Sequence, residues 1–551
     1  MNYNLLSNVS MDIDYFLFLG IFIFLFLIER RVGVGRRIKG ILFFLITLLI
    51  VIYLFGPNLK AQLWLIDDHE TFFFLKSKTS PAAWSEFFDI LINKTEVGKF
   101  GESPRYRISY YVLRIFESLL WKENVYAWYF FRCFTAGVFV FSILKLFSRF
   151  FSVSVSTLFV LSIFSVRYWS DIFSRLGAGE VYAVLGVALL LIAIAEYRLS
   201  EKKPISFYIL ISLGVIIAAG SKENFLILIF IPIVILFLER KKKDNRLGSV
   251  LLTLPILFSF VTVLSLFLFF RMSKVDIYGN SALASDRFSV FVRILSKDFL
   301  YVPLVLLGLL FSLFLFEFKK GRRIGFDKWI CLAFLFLSIL LINIVFYNGQ
   351  WPTNSRYDFP GVIAFQGSIL ILIASVVWRV FRIGELGFQT RFFSLNLVLI
   401  FYLSSTVSIQ GLTNLQRDSR ANMKRTQEFT SFLKEFVSND SNSHLIFYVH
   451  QAFDFEPVDS FSRFLNYYGD SKERMLIVTD VKAESDFKNG LLSYLRMIAK
   501  DGSLEKGILP YNSKSLLGKN CVVLLFPPAS LQDAPKISDC KKVEVKLVPF
   551  Q

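Results

Sequence analysis

The sequence predicts an all-α polytopic membrane bundle of about twelve transmembrane helices, carrying a small C-terminal α/β domain outside the cytoplasm. Three observations predict it. Mean hydropathy is +0.56, with 55% hydrophobic and only 19% charged residues, a balance that a soluble surface cannot present. Apolar windows of span length recur along residues 1–410. Basic clusters fall in alternate connections between those windows. The 64 phenylalanines fit the same class, because lipid-facing helices accept aromatic surface that water rejects. Disordered, collagenous and disulfide-scaffold classes are excluded.

The windows lie near residues 13–29, 40–56, 124–144, 152–168, 178–196, 205–220, 224–238, 248–270, 299–316, 328–347, 360–378 and 392–409. Asp12 and Asp14 stand at the start of the first and Arg30-Arg31 follows it, the reverse of a secretory signal, so it reads as a retained anchor. The clusters Arg30, Arg31, Arg36, Arg37, Lys39 and Arg240 to Lys243 follow odd-numbered windows and are assigned to the cytoplasm. The N-terminus, the long loop 57–123 and everything after residue 410 then lie outside. The formal charge of +18 would suggest nucleic acid in a soluble chain. Residues 411–551, however, hold 19 Lys/Arg against 17 Asp/Glu, so the excess lies among the hydrophobic segments and encodes orientation. No nucleic-acid partner is expected.

Residues 411–551 read differently from the bundle. A polar helical stretch (Arg417 to Val437) precedes β-rich runs at Leu445 to Val449, Met475 to Thr479, Val522 to Phe526 and Val543 to Val548, alternating with helical patterns. This is a small α/β domain, expected to cap the bundle. Cys133 and Cys331 sit in spans and read as small apolar residues. Cys521 and Cys540 lie on the oxidising side and are expected to form a disulfide, contributing about 3 kcal/mol by loop entropy. With only His69, His444 and His450, a histidine-rich metal site is excluded.

Chemistry is sought where polar groups are costly to keep, at or just above membrane depth. After the second window comes Trp64-Leu65-Ile66-Asp67-Asp68-His69-Glu70-Thr71-Phe72-Phe73-Phe74, four ionisable residues between apolar ones at the outer interface. Neighbouring carboxylates and partial burial raise a carboxyl pKa toward neutrality, as a general base for a hydroxyl requires. A solvated turn is the plainer reading of the same residues. The other unusual polar residues share that face: Asp171, Arg175 and Glu180; Lys222, Glu223 and Asn224; Arg356, Tyr357 and Asp358 ahead of Pro360. Arg132, two turns inside its span, either snorkels outward or finds an anion. No phosphate loop, Walker sequence or dinucleotide fingerprint occurs. Carboxylates beside cations at headgroup level suit a lipid-linked phosphate such as a polyprenyl-phosphate sugar.

Residues 40–410 resemble the C-type glycosyltransferase superfamily, which includes protein O-mannosyltransferases, aminoarabinose transferases and enzymes of the lipopolysaccharide-core galacturonosyltransferase type. The resemblance is carried by Asp67-Asp68 opening the first long external loop, Arg105-Tyr106-Arg107, Gly179-Glu180-Val181-Tyr182, Ser221-Lys222-Glu223 and Arg356-Tyr357-Asp358-Phe359-Pro360. It implies an inverting transfer from a polyprenyl-phosphate-linked sugar to an envelope acceptor, with Asp67 as base and Asp68 beside it. Lys222, Arg356 and Arg132 would neutralise the departing phosphate. His69, Glu70, Arg105, Asp171, Arg175, Glu180, Glu223, Tyr357 and Asp358 would bind acceptor or support the site. One helix more than the simplest family plan precedes the acidic loop. No cofactor is expected: four consecutive residues at 67–70 do not all face one ion, so metal-independent chemistry is favoured over a divalent metal. A flippase of lipid-linked sugars and a non-catalytic envelope assembly factor are the alternatives; the first calls for ionisable groups near the midplane of broken helices.

Overall fold

In water-free surroundings a backbone must bond to itself, and the apolar stretches do so as helices. The computed structural model describes residues 13–32, 36–66, 68–197, 203–239, 246–272, 300–319, 333, 336–341, 343, 355–438, 443–449, 455–470, 472–478 and 508–549. Asp67, Cys331 and His450 lie outside these. The bundle begins with α1 (Ile13–Val32) and α2 (Arg36–Phe55). The segment between α2 and the next long helix contains α3 (His69–Leu75), α4 (Phe87–Asn93) and α5 (Ile108–Trp121). Then come α6 (Val125–Phe147), α7 (Val153–Phe164), α8 (Tyr168–Phe173), α9 (Glu180–Glu196), α10 (Ile205–Ala219), α11 (Phe230–Glu239) and α12 (Arg246–Met272). The bundle closes with α13 (Tyr301–Lys319), α14 (Gly361–Ile383) and α15 (Phe388–Thr406).

Among the described residues four segments are long and apolar enough to cross a membrane: Ile38–Lys60, Val125–Phe147, Arg246–Met272 and Gly361–Ile383. A fifth is formed if α15 and α16 (Ile409–Ser438), bent by 52°, count as one. Helices do occupy most of the twelve windows, but several are short. α7 has 12 residues and α10 has 15, and the window at 224–238 divides into a 3-10 stretch, Glu223–Ile229, followed by α11. A hydropathy window counts apolar residues and is blind to such breaks. The window at 328–347 lies largely outside the described residues.

Close packing within the bundle relies on missing side chains. A Cβ on Gly186 of α9 would stand 2.6 Å from the Gly214 carbonyl of α10, so the two helices approach backbone to backbone. At the C-terminal end of α10, a Cβ on Gly220 would collide with Ser109 Oγ. There the Tyr110 N–H donates to the Gly220 carbonyl at 3.1 Å, bringing the start of α5 onto the end of α10.

The tail leaves the bundle as α16, which reaches further back than the Arg417 to Val437 stretch read from sequence. Its buried residues Leu415, Ser419, Asn422, Thr426, Phe429, Leu433 and Phe436 recur at helical spacing. Beyond it lie β1 (His444–Val449), α17 (Phe455–Tyr467), β2 (Arg474–Val478), β3 (Leu509–Pro510), β4 (Asn520–Leu525) and β5 (Lys542–Leu547). The strands form one parallel sheet in the order β3-β2-β1-β4-β5, with Leu445 opposite Arg474, His444 opposite Cys521 and Asn520 opposite Lys542. Two residues long, β3 gives no alternation to read. One sheet face (Leu445, Phe447, Val522, Leu524) joins α17 and α16 in a core that includes Trp64, Phe72 and Phe74 of the segment that follows α2. The other face (Ile446, Val523, Leu525) packs with Cys521, which is disulfide-bonded to Cys540 at a Cα separation of 5.9 Å.

Candidate functional site

The chain leaves α2 through a 3-10 turn (Gly56–Lys60) and runs extended along α16. Backbone donors set its course: Gln62 N–H to Thr426 Oγ1 at 2.9 Å, Leu63 N–H to Thr430 Oγ1 at 3.1 Å and Ile66 N–H to Ser460 Oγ at 2.9 Å. Ile66 has φ +64°, a left-handed conformation that costs a β-branched residue about 1–3 kcal/mol. The turn closes with Asp68 N–H donating to the Ile66 carbonyl at 2.8 Å. The Asp68 carboxylate is fully buried and accepts the N–H groups of Trp64 (2.9 Å) and Leu176 (3.1 Å). His69 opens α3 and is buried; burial, reinforced by the Arg463 and Arg114 guanidiniums, pushes its pKa well below the ordinary imidazole value. Glu70 accepts the Tyr110 hydroxyl from α5.

Facing this turn across α5 is a cluster of paired charges. Lys222 sits in extended backbone between α10 and the 3-10 stretch, and its ammonium pairs with Glu180, the first residue of α9. The second Glu180 oxygen lies 3.8 Å from Arg356 Nε. The Tyr357 ring receives Lys222 Nζ at 4.5 Å and the Arg356 guanidinium at 5.8 Å from its centroid. Glu223 is held by Arg107 in a two-pronged bond of 2.8 and 3.0 Å. Asn224 donates to Asn343 Oδ1 (3.1 Å) and to the Phe359 carbonyl (3.2 Å), tying this connection to the segment that carries Arg356. Asp358 is fully buried in that segment. Buried Glu96 adjoins Arg107, Arg105, Glu223 and Glu70; burial drives its carboxyl pKa up to about 7, with the two arginines opposing.

A third layer locks the first two together. The Leu176 carbonyl accepts from Arg114 and from Arg132 (2.8 Å), while its N–H goes to Asp68, so one peptide joins the acidic turn to two fully buried arginines. Arg132 does not snorkel. It is fully buried, and its anion is Glu117 at 3.3 Å, which also accepts the Tyr182 hydroxyl at 2.6 Å. Arg114 lies over the Trp128 ring at 5.0 Å.

Of the residues gathered by sidedness, Glu180, Lys222, Arg356 and Tyr357 converge directly, while Glu70, Arg105 and Glu223 join them through Glu96 and α5. Asp171 and Arg175 instead pair with each other at 3.9 Å, each about a third exposed (36%) on and just after α8. Sequence reading quoted Arg107 and Tyr182 within motifs but gave them no role, and it missed Glu96, Tyr110, Arg114 and Glu117. A signal was available for the last three: Arg107, Tyr110, Arg114 and Glu117 step by three and four, the polar stripe of a helix within what reads as a loop. Among the described residues no three His, Cys, Asp or Glu side chains are grouped to hold a metal ion.

The bundle also contains a cavity of about 130 Å³ lined only by apolar residues, among them Phe139, Phe225, Ile227, Phe359, Pro360 and Ala364. Phe225 follows Lys222 by three residues and Phe359 follows Arg356 by three, so the same two segments line the cavity and carry the cations. Such an arrangement suits an amphiphile with an anionic head and a hydrocarbon chain. No family model matches the chain, and no solved structure matches it.

Proposed function

We propose that this chain is a membrane glycosyltransferase that moves a sugar from a polyprenyl-phosphate donor to a cell-envelope acceptor, whether glycan, lipid or protein. The observation that carries the reading is that the two segments bearing Lys222 and Arg356, which share Glu180, also supply Phe225 and Phe359 to the lining of the apolar cavity. A lipid phosphate would place its charge among Lys222, Arg356 and Arg107 and its first isoprene units against Phe225 and Phe359. On this reading residues 1–410 form the transferase bundle of about twelve spans, and the acidic turn and residues 411–551 lie outside the cytoplasm.

The proposed base is Asp67, which takes the acceptor hydroxyl's proton as that oxygen attacks the anomeric carbon. The anomeric carbon–phosphate oxygen bond breaks, the configuration inverts and polyprenyl phosphate departs. Asp68, whose carboxylate is engaged by two backbone N–H groups, would hold the turn while Asp67 acts. Lys222 and Arg356 would stabilise charge developing on the leaving phosphate. Arg132, committed to Glu117 and Leu176, acts from a step further back.

The test is transfer by purified full-length protein in nanodiscs, with polyprenyl-phosphate sugars as donors and envelope extract as acceptor. Asp67→Asn is expected to lower transfer by about 100-fold or more while the protein stays folded. Full transfer by Asp67→Asn would sink the proposed base, and absence of transfer by the wild type with every donor would sink the activity.

A further inference from the structure

We infer that the C-terminal domain supplies a positioning residue to the acidic turn: Ser460, on α17, holds the Ile66 peptide in place and with it Asp68 and the start of α3. The contact stands on geometry alone; its catalytic consequence rests on the glycosyltransferase reading above. Ser460 is fully buried, and its hydroxyl oxygen accepts the Ile66 N–H at 2.9 Å across 394 residues of chain.

Two neighbouring contacts fix α17 against α3. Phe464 and Tyr467 pack on Phe72 with ring centroids 5.4 and 4.5 Å apart. The Arg463 guanidinium lies 4.9 Å over the Phe73 ring, with Asp459 holding it at 3.0 Å. These contacts alone would make the domain a cap. Capping needs apolar surface, whereas a hydroxyl at position 460 adds a directed bond to one particular peptide.

That peptide is the one that needs holding. Ile66 has φ +64°, which a β-branched residue keeps only when its surroundings over-determine it. Relaxation of Ile66 to an extended conformation would rotate its carbonyl away from the Asp68 N–H, now at 2.8 Å. The Asp68 carboxylate would then be drawn off Trp64 and Leu176, and the strand-like approach to the turn would lose its register. In sequence, Asp67 stands between the two residues so held.

Two readouts on the full-length protein in nanodiscs test this. In hydrogen–deuterium exchange, Ser460→Ala is expected to speed exchange in peptides covering residues 62–68 about tenfold, leaving β1 and β4 peptides unchanged. In transfer assays the same variant is expected to lower kcat about tenfold with little change in donor KM, since the donor cations are untouched. Adding Ile66→Asn should restore kcat, because asparagine adopts left-handed backbone more readily than isoleucine. Unchanged exchange in 62–68 would overturn the pin, and faster exchange with unchanged kcat would overturn its positioning role. A wild-type protein inactive on every donor would overturn the functional reading, while the exchange result would still decide whether Ser460 holds the turn.

Discussion

The acidic turn and the cation cluster meet at α5, where Tyr110 bonds Glu70 on one side and Arg107 holds Glu223 on the other, yet they are built in opposite ways. The turn is held by backbone donors: Trp64 and Leu176 give their N–H groups to Asp68, and Ile66 gives its own to Ser460. The cluster is held by side-chain charge, with Glu180 serving both Lys222 and Arg356. Backbone anchoring fixes a position at modest energetic stake per group. Charge pairing among buried residues stakes more, because each partner is costly alone. On the glycosyltransferase reading proposed above, the first arrangement suits a group that must sit still and the second suits cations that meet an incoming anion.

The comparison breaks most sharply at Glu180. Glu180→Ala leaves Lys222 and Arg356 without their shared carboxylate, and the expected loss is about 3 kcal/mol or more, the cost of stranding buried charge. Thermal unfolding of the detergent-solubilised protein, followed by intrinsic fluorescence, measures it. A loss under about 1 kcal/mol would mean that water or another anion already serves these cations. Asp68→Asn should cost less, about 1.5–3 kcal/mol, since the amide keeps one acceptor and loses the charge-assisted bond to the second N–H. If Asp68→Asn proved the more damaging, the turn rather than the cluster would be the stability-critical half.

These two halves were not equally legible in sequence. The cluster was: Glu180, Lys222 and Arg356 stand out as charges at span ends on one side, and sidedness alone brought them together. The turn was legible only as composition. That Asp68 faces inward depends on the left-handed Ile66 and on Leu176, 108 residues away, a pairing no local pattern encodes. Helix positions followed from apolar windows, and four strands from their β-rich runs. Among the described residues four or five segments have the length and hydropathy of a span, since a break such as the 3-10 stretch at Glu223–Ile229 shortens a helix and leaves composition unchanged. The polar stripe of α5 was hidden by its setting, a helix inside a segment long enough to read as loop.

The smallest expected effect concerns Glu96, which belongs to neither half and sits against both. Its carboxyl is buried, with one oxygen making no hydrogen bond, and its pKa rises from the ordinary 4.5 to about 7, chiefly by burial. A folded-state pKa above the unfolded one means that the folded protein binds the extra proton. This contribution to stability is therefore full below about pH 4.5, is lost as pH rises toward 7 and changes little beyond. Between pH 8 and pH 6 it amounts to about 1 kcal/mol of added stability on acidification. His69, with its pKa depressed by burial, pulls the other way over the same range, because the unfolded chain takes up a proton that the folded one refuses. Only the difference between wild type and Glu96→Gln isolates the carboxyl. The wild type should gain about 1 kcal/mol relative to the variant on going from pH 8 to pH 6, read as the change in their separation in unfolding midpoint. Parallel profiles would mean that Arg105 and Arg107 keep Glu96 ionised throughout, which would place its charge with the cations of the cluster instead of leaving it neutral beside them.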